Sequence, residues 1–153
     1  MDPNAFNTGI GIAGAIATLG LSAVGSGLGT GMAGMAAIGA WKKCYAQNKP
    51  APFLLLGFVG APLTQTLYGM ILMFVMIGRA KAGAPGLPLL ILGCFAGLGI
   101  GVSAWLQGRA AAGACDAQAE TGQGITNYFA ALGIIETVAI FTMVFTLLAV
   151  LSI

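Results

Sequence analysis

The chain has 153 residues, 58% of them hydrophobic and only 7% charged, with a formal net charge of +2. A soluble domain carries about 25% charge, so this composition cannot cover a globular surface and excludes an ordinary water-soluble fold. The small net charge argues against a nucleic-acid partner. The absence of histidine removes the usual metal ligand and general base.

The charges divide the chain into uncharged runs, Pro3–Trp41, Ala51–Gly78, Ala82–Gly108 and, apart from Glu136, Thr121–Ile153. A helix needs about 20 apolar residues to cross a bilayer. The runs therefore predict an all-α membrane protein with four transmembrane helices and almost no extramembrane mass. They form two tandem hairpins: residues 1–80, with helices over about 5–41 and 51–79, and residues 81–153, with helices over about 86–119 and 125–153.

The N-terminal segment lacks a basic start and does not read as a cleaved signal peptide. The first helix carries ten glycines between Gly9 and Gly39, including Gly25-x-x-x-Gly29 and Gly27-x-x-x-Gly31. Soluble helices avoid glycine, at about 1 kcal/mol each. In lipid, small residues let backbones approach closely, so this face predicts dense lateral packing, as at the narrow side of a ring or at a helix dimer face. The second helix is bulkier, with Phe53, Leu54, Leu55, Met70, Leu72 and Phe74 suited to lipid. Its residues Ala61, Thr64, Gln65 and Tyr68 fall at i, i+3, i+4 and i+7 and share one face. Pro62 removes a backbone hydrogen bond and frees a carbonyl one turn earlier, at residue 58.

The third helix is again glycine-rich and adds Gln107 and Arg109; Arg109 reads as a snorkelling cation. Asp116 and Glu120 belong to a solvated turn. Cys44, Cys94 and Cys115 lack metal or redox spacing and read as packing residues or free thiols. The fourth helix carries Glu136, alone in the stretch from Thr121 to Ile153 and next to its midpoint. A carboxylate at the centre of a span costs roughly 2.5–3.5 kcal/mol on insertion scales. It is retained where it has a partner or a task, and ion or proton movement is the default task.

The two hairpins are a weak internal duplication. Offset by 79, Gly14 meets Gly93, Ala17 meets Ala96 and Gly29 meets Gly108; offset by 71, Phe58 meets Phe129 and Gln65 meets Glu136. Residues equidistant from a turn lie at equal depth, and the midpoints of the pairs Gln107/Glu136 and Leu28/Gln65 both fall in polar turns. Gln65, Gln107 and Glu136 can therefore share one level. With Thr64 and Tyr68 they offer hard oxygen atoms, which suit a cation such as Na+. Alternatively Glu136 carries a proton, since an apolar setting disfavours a bare charge. Two glutamines exceed the needs of a proton site, so Na+ is favoured over H+.

These residues resemble the proteolipid (K, or c) subunit of bacterial V-type or A-type rotary ATPases, closest to its sodium-translocating members. The resemblance covers nearly the whole chain. It rests on the duplicated hairpin, the glycine-rich first and third helices, Pro62-x-Thr64-Gln65-x-x-Tyr68-Gly69, Leu106-Gln107-Gly108-Arg109 and Glu136. Leu63 and Thr66 depart from it, standing where glycines are expected, as does Ala61, where a larger residue lends a carbonyl. The resemblance implies that Thr64, Gln65, Tyr68, Gln107 and Glu136 form the ion site. It implies a homo-oligomeric ring in lipid, turning against a stationary membrane subunit that bears an arginine, and driven through central-shaft subunits. The chain would then be a non-catalytic rotor, and its halved carboxylate count leans towards pumping over synthesis. The rival reading is a small four-helix cation or multidrug exchanger using Glu136. Lys42, Lys43, Lys49 and Arg109 against Arg79 and Lys81 place loops 42–50 and about 116–124 in the cytoplasm, with both termini outside a cell membrane.

Overall fold

The computed structural model describes residues 2–153. They form α1 (Pro3–Ala46), α2 (Leu55–Gly60), a 3-10 turn (Ala61–Leu63), α3 (Thr64–Lys81), α4 (Gly86–Thr121) and α5 (Ile125–Ser152). The segment α2–turn–α3 acts as one span, so four rods are long and apolar enough to cross a membrane. The fold is all-α.

Local chemistry explains the ends. Asp2 caps α1 by accepting from the Asn4 N–H at 3.0 Å, with Pro3 at the first helical position. The charge pattern ends this helix near residue 41, but it continues to Ala46. It closes where Asn48 enters the left-handed region (φ 55°) and the Lys49 N–H returns to the Cys44 carbonyl. The next helix starts at Leu55 instead of about 51, because Pro50 and Pro52 hold the residues before them out of helical geometry. The Trp41 indole donates to the Pro52 carbonyl at 2.9 Å and ties this connection to α1. At Pro62, which has no N–H to offer Phe58, the rod tightens into the 3-10 turn.

The central contact is α1 against α4. A Cβ added at Gly25 would fall 1.9 Å from the Gly101 carbonyl oxygen, and one at Gly108 would fall 2.1 Å from the Gly29 Cα. One at Gly93 would fall 2.1 Å from the Gly14 oxygen. The two backbones touch, as small residues allow in lipid. Gly14 faces Gly93, Thr18 faces Gly97, Gly29 faces Gly108, and Asn7 Oδ1 accepts from the Gly86 N–H at 2.7 Å. Every one of these pairs is 79 apart. The two helices therefore run parallel and level, with repeat counterparts side by side.

α3 returns antiparallel along α1, with Ala80 opposite Gly11, Gly69 opposite Ser22 and Pro62 opposite Gly29. α5 returns along α4, with Thr142 opposite Gly99. Phe58 stacks on Phe129 with ring centroids 4.7 Å apart; they are repeat partners. Two apolar cores result. One, towards the termini, holds Ala15, Leu72, Met76, Leu89, Ile100 and Ala139. The other, towards the turns, holds Ala33, Leu55, Phe58, Ala111, Cys115 and Leu132. Gln65 and Gln107, both 0% exposed, lie in the layer between them. All three cysteines are free.

The α1–α4 contact predicts a steep size limit. Gly108→Ala is expected to lower stability by about 1–3 kcal/mol through overpacking. Gly78→Ala, whose added Cβ meets nothing within 4 Å, is expected to leave it unchanged or higher. Unfolding midpoints of the detergent-solubilised protein check both.

Candidate ion-binding site

α5 carries Glu136 about 16 Å from its start and about 24 Å from its end. The side chain is half-buried and turned towards α3. Its Oε1 accepts from the Tyr68 hydroxyl at 2.6 Å and from the Thr64 hydroxyl at 2.7 Å. Its Oε2 lies 3.4 Å from Gln107 Nε2, which also donates to the Leu132 carbonyl at 3.0 Å. Gln65 Nε2 donates to Gln107 Oε1 at 2.7 Å. The five side chains selected from the sequence thus meet in one hydrogen-bonded cluster, drawn from three helices.

The 3-10 turn sets the α3 part of this cluster. Thr64 Oγ1 lies 3.1 Å from the Ala61 carbonyl oxygen, 3.2 Å from Gln65 Oε1 and 2.7 Å from Glu136 Oε1. A hydroxyl has one proton. The shortest contact takes it, and the other two oxygens face lone pairs. Oxygen atoms at these separations are what neighbouring ligands of a hard cation look like when metal–oxygen distances are about 2.3–2.6 Å. Glu136 is the single formal charge in the set. No group of three His, Cys, Asp or Glu side chains gathers among the described residues, so any cation held here would rely mainly on neutral oxygen.

Apolar groups close the cluster along the helix axes. Phe58 and Phe129 lie two turns away on one side, and Leu72, Met76 and Ala139 lie within three turns on the other. Exposure remains at Glu136, Thr64 and Tyr68, where α3 meets α5. Leu63 is 57% exposed, which explains why a side chain is tolerated where glycine was expected.

Arg109 is exposed and makes no ion pair; the sole ion pair among the described residues joins Lys43 to Glu120 at the turn end of α1 and α4. Asp116 is exposed. Two contributors escaped the sequence reading. The Ser103 hydroxyl donates to the Ile135 carbonyl at 2.9 Å, and the Leu132 carbonyl anchors Gln107. The signal for Ser103 was its place one turn before Gln107. Nothing in the sequence separates it from serines that bond within their own helix, as Ser22 does to Thr18.

No curated protein matches the chain. Residues 90–149, which hold most of α4 and α5 with Ser103, Gln107 and Glu136, match the family model of the ATP synthase C subunit. That family is the ion-translocating rotor-ring component of rotary ATPases.

Proposed function

We propose that the chain is a rotor-ring subunit of a V-type rotary ATPase and that each copy carries one cation on Glu136, Na+ in preference to H+. The observation that carries this reading is the oxygen cluster around Thr64 Oγ1, formed by Ala61, Gln65 and Glu136, with Gln107 Oε1 one hydrogen bond away. A proton needs one acceptor. A dehydrated Na+ needs several oxygens at once, and a single carboxylate among neutral carbonyl and hydroxyl groups balances its charge.

The roles follow from the contacts. Glu136 supplies charge and oxygen. Thr64 and Gln65 supply neutral oxygens beside the carboxylate; Gln107 turns its Nε2 to Glu136 and its Oε1 to Gln65, and adds that oxygen to the cation's shell when its amide turns over. Tyr68 donates to Oε1 and sets the carboxylate rotamer. Partial exposure between α3 and α5 gives the cation a lateral route towards a stationary membrane subunit, whose arginine would meet the emptied carboxylate. The Lys43–Glu120 end would face the cytoplasm and a central shaft, with both termini outside. The copies would form a homo-oligomeric ring in the lipid, itself non-catalytic. One carboxylate per pair of hairpins lowers the number of charges moved per turn. Moving each charge across 100 mV costs about 2.3 kcal/mol, so fewer charges per turn favour pumping against a steep gradient.

Three outcomes test the reading. Dicyclohexylcarbodiimide attacks a protonated carboxyl in an apolar setting, and Na+ at fixed pH is expected to slow its labelling of Glu136; labelling that follows pH and ignores Na+ would assign the site to protons. Glu136→Gln is expected to abolish Na+ uptake into proteoliposomes of the whole complex while native mass still reports the assembled ring. A dimer in that measurement would point instead to an exchanger. Tyr68→Phe removes a hydrogen bond to a charged group, a contribution of about 1.5–3 kcal/mol. The Na+ concentration giving half protection is expected to rise about ten-fold or more.

A further inference from the structure

Ser103 is 3% exposed and stands one turn before Gln107 on α4. Its hydroxyl donates at 2.9 Å to the Ile135 carbonyl, which belongs to the peptide group that carries Glu136. Gln107 Nε2 donates at 3.0 Å to the Leu132 carbonyl. Two side chains at i and i+4 of α4 thus hold two carbonyls at i and i+3 of α5. Several helix hydroxyls outside the Glu136 cluster spend their proton within their own helix, Ser22 on Thr18, Thr30 on Ser26 and Thr142 on Val138, all at 2.7–2.8 Å. Ser103 crosses to its neighbour.

The crossing matters because α5 is otherwise weakly held. Only Leu132, Ala139 and Val150 are buried on it. Beside Ser103 an apolar groove lined by Leu98, Val102, Leu106, Ile135 and Val138 stays open, so side-chain packing between α4 and α5 is sparse on that flank. Glu136 meets Tyr68 and Thr64 at 2.6 and 2.7 Å. Lengths this short tolerate little sliding of α5 along α3.

We propose that Ser103 is a positioning residue for Glu136: its hydrogen bond to the Ile135 carbonyl sets the height and rotation of the carboxylate and so tunes cation affinity. This rests on the reading that Glu136 binds the transported cation.

The test uses the purified ring as wild type, Ser103→Ala and Ser103→Thr. The rate of dicyclohexylcarbodiimide labelling of Glu136 is followed against Na+ concentration and, separately, against pH, alongside the thermal midpoint of the ring. Ser103→Ala is expected to raise the half-protecting Na+ concentration about three- to ten-fold, the size of one net hydrogen bond, with the thermal midpoint near wild type. Ser103→Thr, which restores the hydroxyl, is expected to return it. If the threonine variant fails to assemble, Ser103→Cys replaces it; a midpoint between wild type and the alanine variant supports the proposal, and one equal to the alanine variant overturns it. A wild-type midpoint in Ser103→Ala overturns the proposal. So does a shift that Ser103→Thr leaves uncorrected, or one matched by loss of thermal stability. If wild-type labelling ignores Na+, the sodium reading fails by itself, and Ser103 is judged on pH. A pH midpoint moved by about half a unit or more in Ser103→Ala and restored in Ser103→Thr keeps the role, and an unmoved one removes it.

Discussion

The backbone contact between α1 and α4 sets everything else in this molecule. With Gly25 against Gly101 and Gly29 against Gly108, the two backbones meet at these points with no side chain between them to adjust, so their relative height is fixed by backbone shape. That height carries over to the returning rods. α3 is placed by Ser22 against Gly69 and Gly29 against Pro62, and α5 by Gln107 and Ser103 against its carbonyls. A slip of one residue between α1 and α4, about 1.5 Å, would lift Gln107 off Gln65, whose contact is 2.7 Å.

A membrane carboxylate must be surrounded by donors or neutralised. Here the surroundings are built as one polar layer between two apolar cores. Tyr68 and Thr64 satisfy one carboxylate oxygen, and Gln107 reaches towards the other. The same layer satisfies the amides, since Gln65 donates to Gln107 and Gln107 donates to the Leu132 carbonyl. Unpaired amides would be costly at 0% exposure. The layer therefore serves the fold and the proposed ion chemistry with the same bonds. The aromatic stack of Phe58 on Phe129 and the core around Leu72 and Met76 keep it dry along the helix axes.

The duplication has an unequal outcome. Gln65 and Glu136 are counterparts at an offset of 71, yet they sit in one cluster, joined through Gln107. Leu28, the counterpart of Gln107, is 52% exposed and takes no part. Parallel packing of the two hairpins brings the returning rods together on one side, so within the chain two half-sites converge into one, and only one of them needs a charge.

Much of this could be read from the sequence. The four spans follow from where charge is absent, because lipid tolerates little else. The hairpin midpoints put Gln65, Gln107 and Glu136 at one depth, and helical spacing put Thr64, Gln65 and Tyr68 on one face; both are consequences of fixed rise and rotation per residue. Helix ends were less legible: capping by Asn48 and the double proline at Pro50 and Pro52 shifted them by four or five residues. What only the tertiary structure decided is which oxygen meets which proton. The same hydroxyl can bond within its own helix or across to another, and the choice between Ser22's habit and Ser103's depends on how close the neighbouring backbone lies. That distance is set by which helix packs against the serine's face and how closely, as where Gly99 lets Thr142 of α5 approach α4, and the residues around a serine do not say which neighbour it will have.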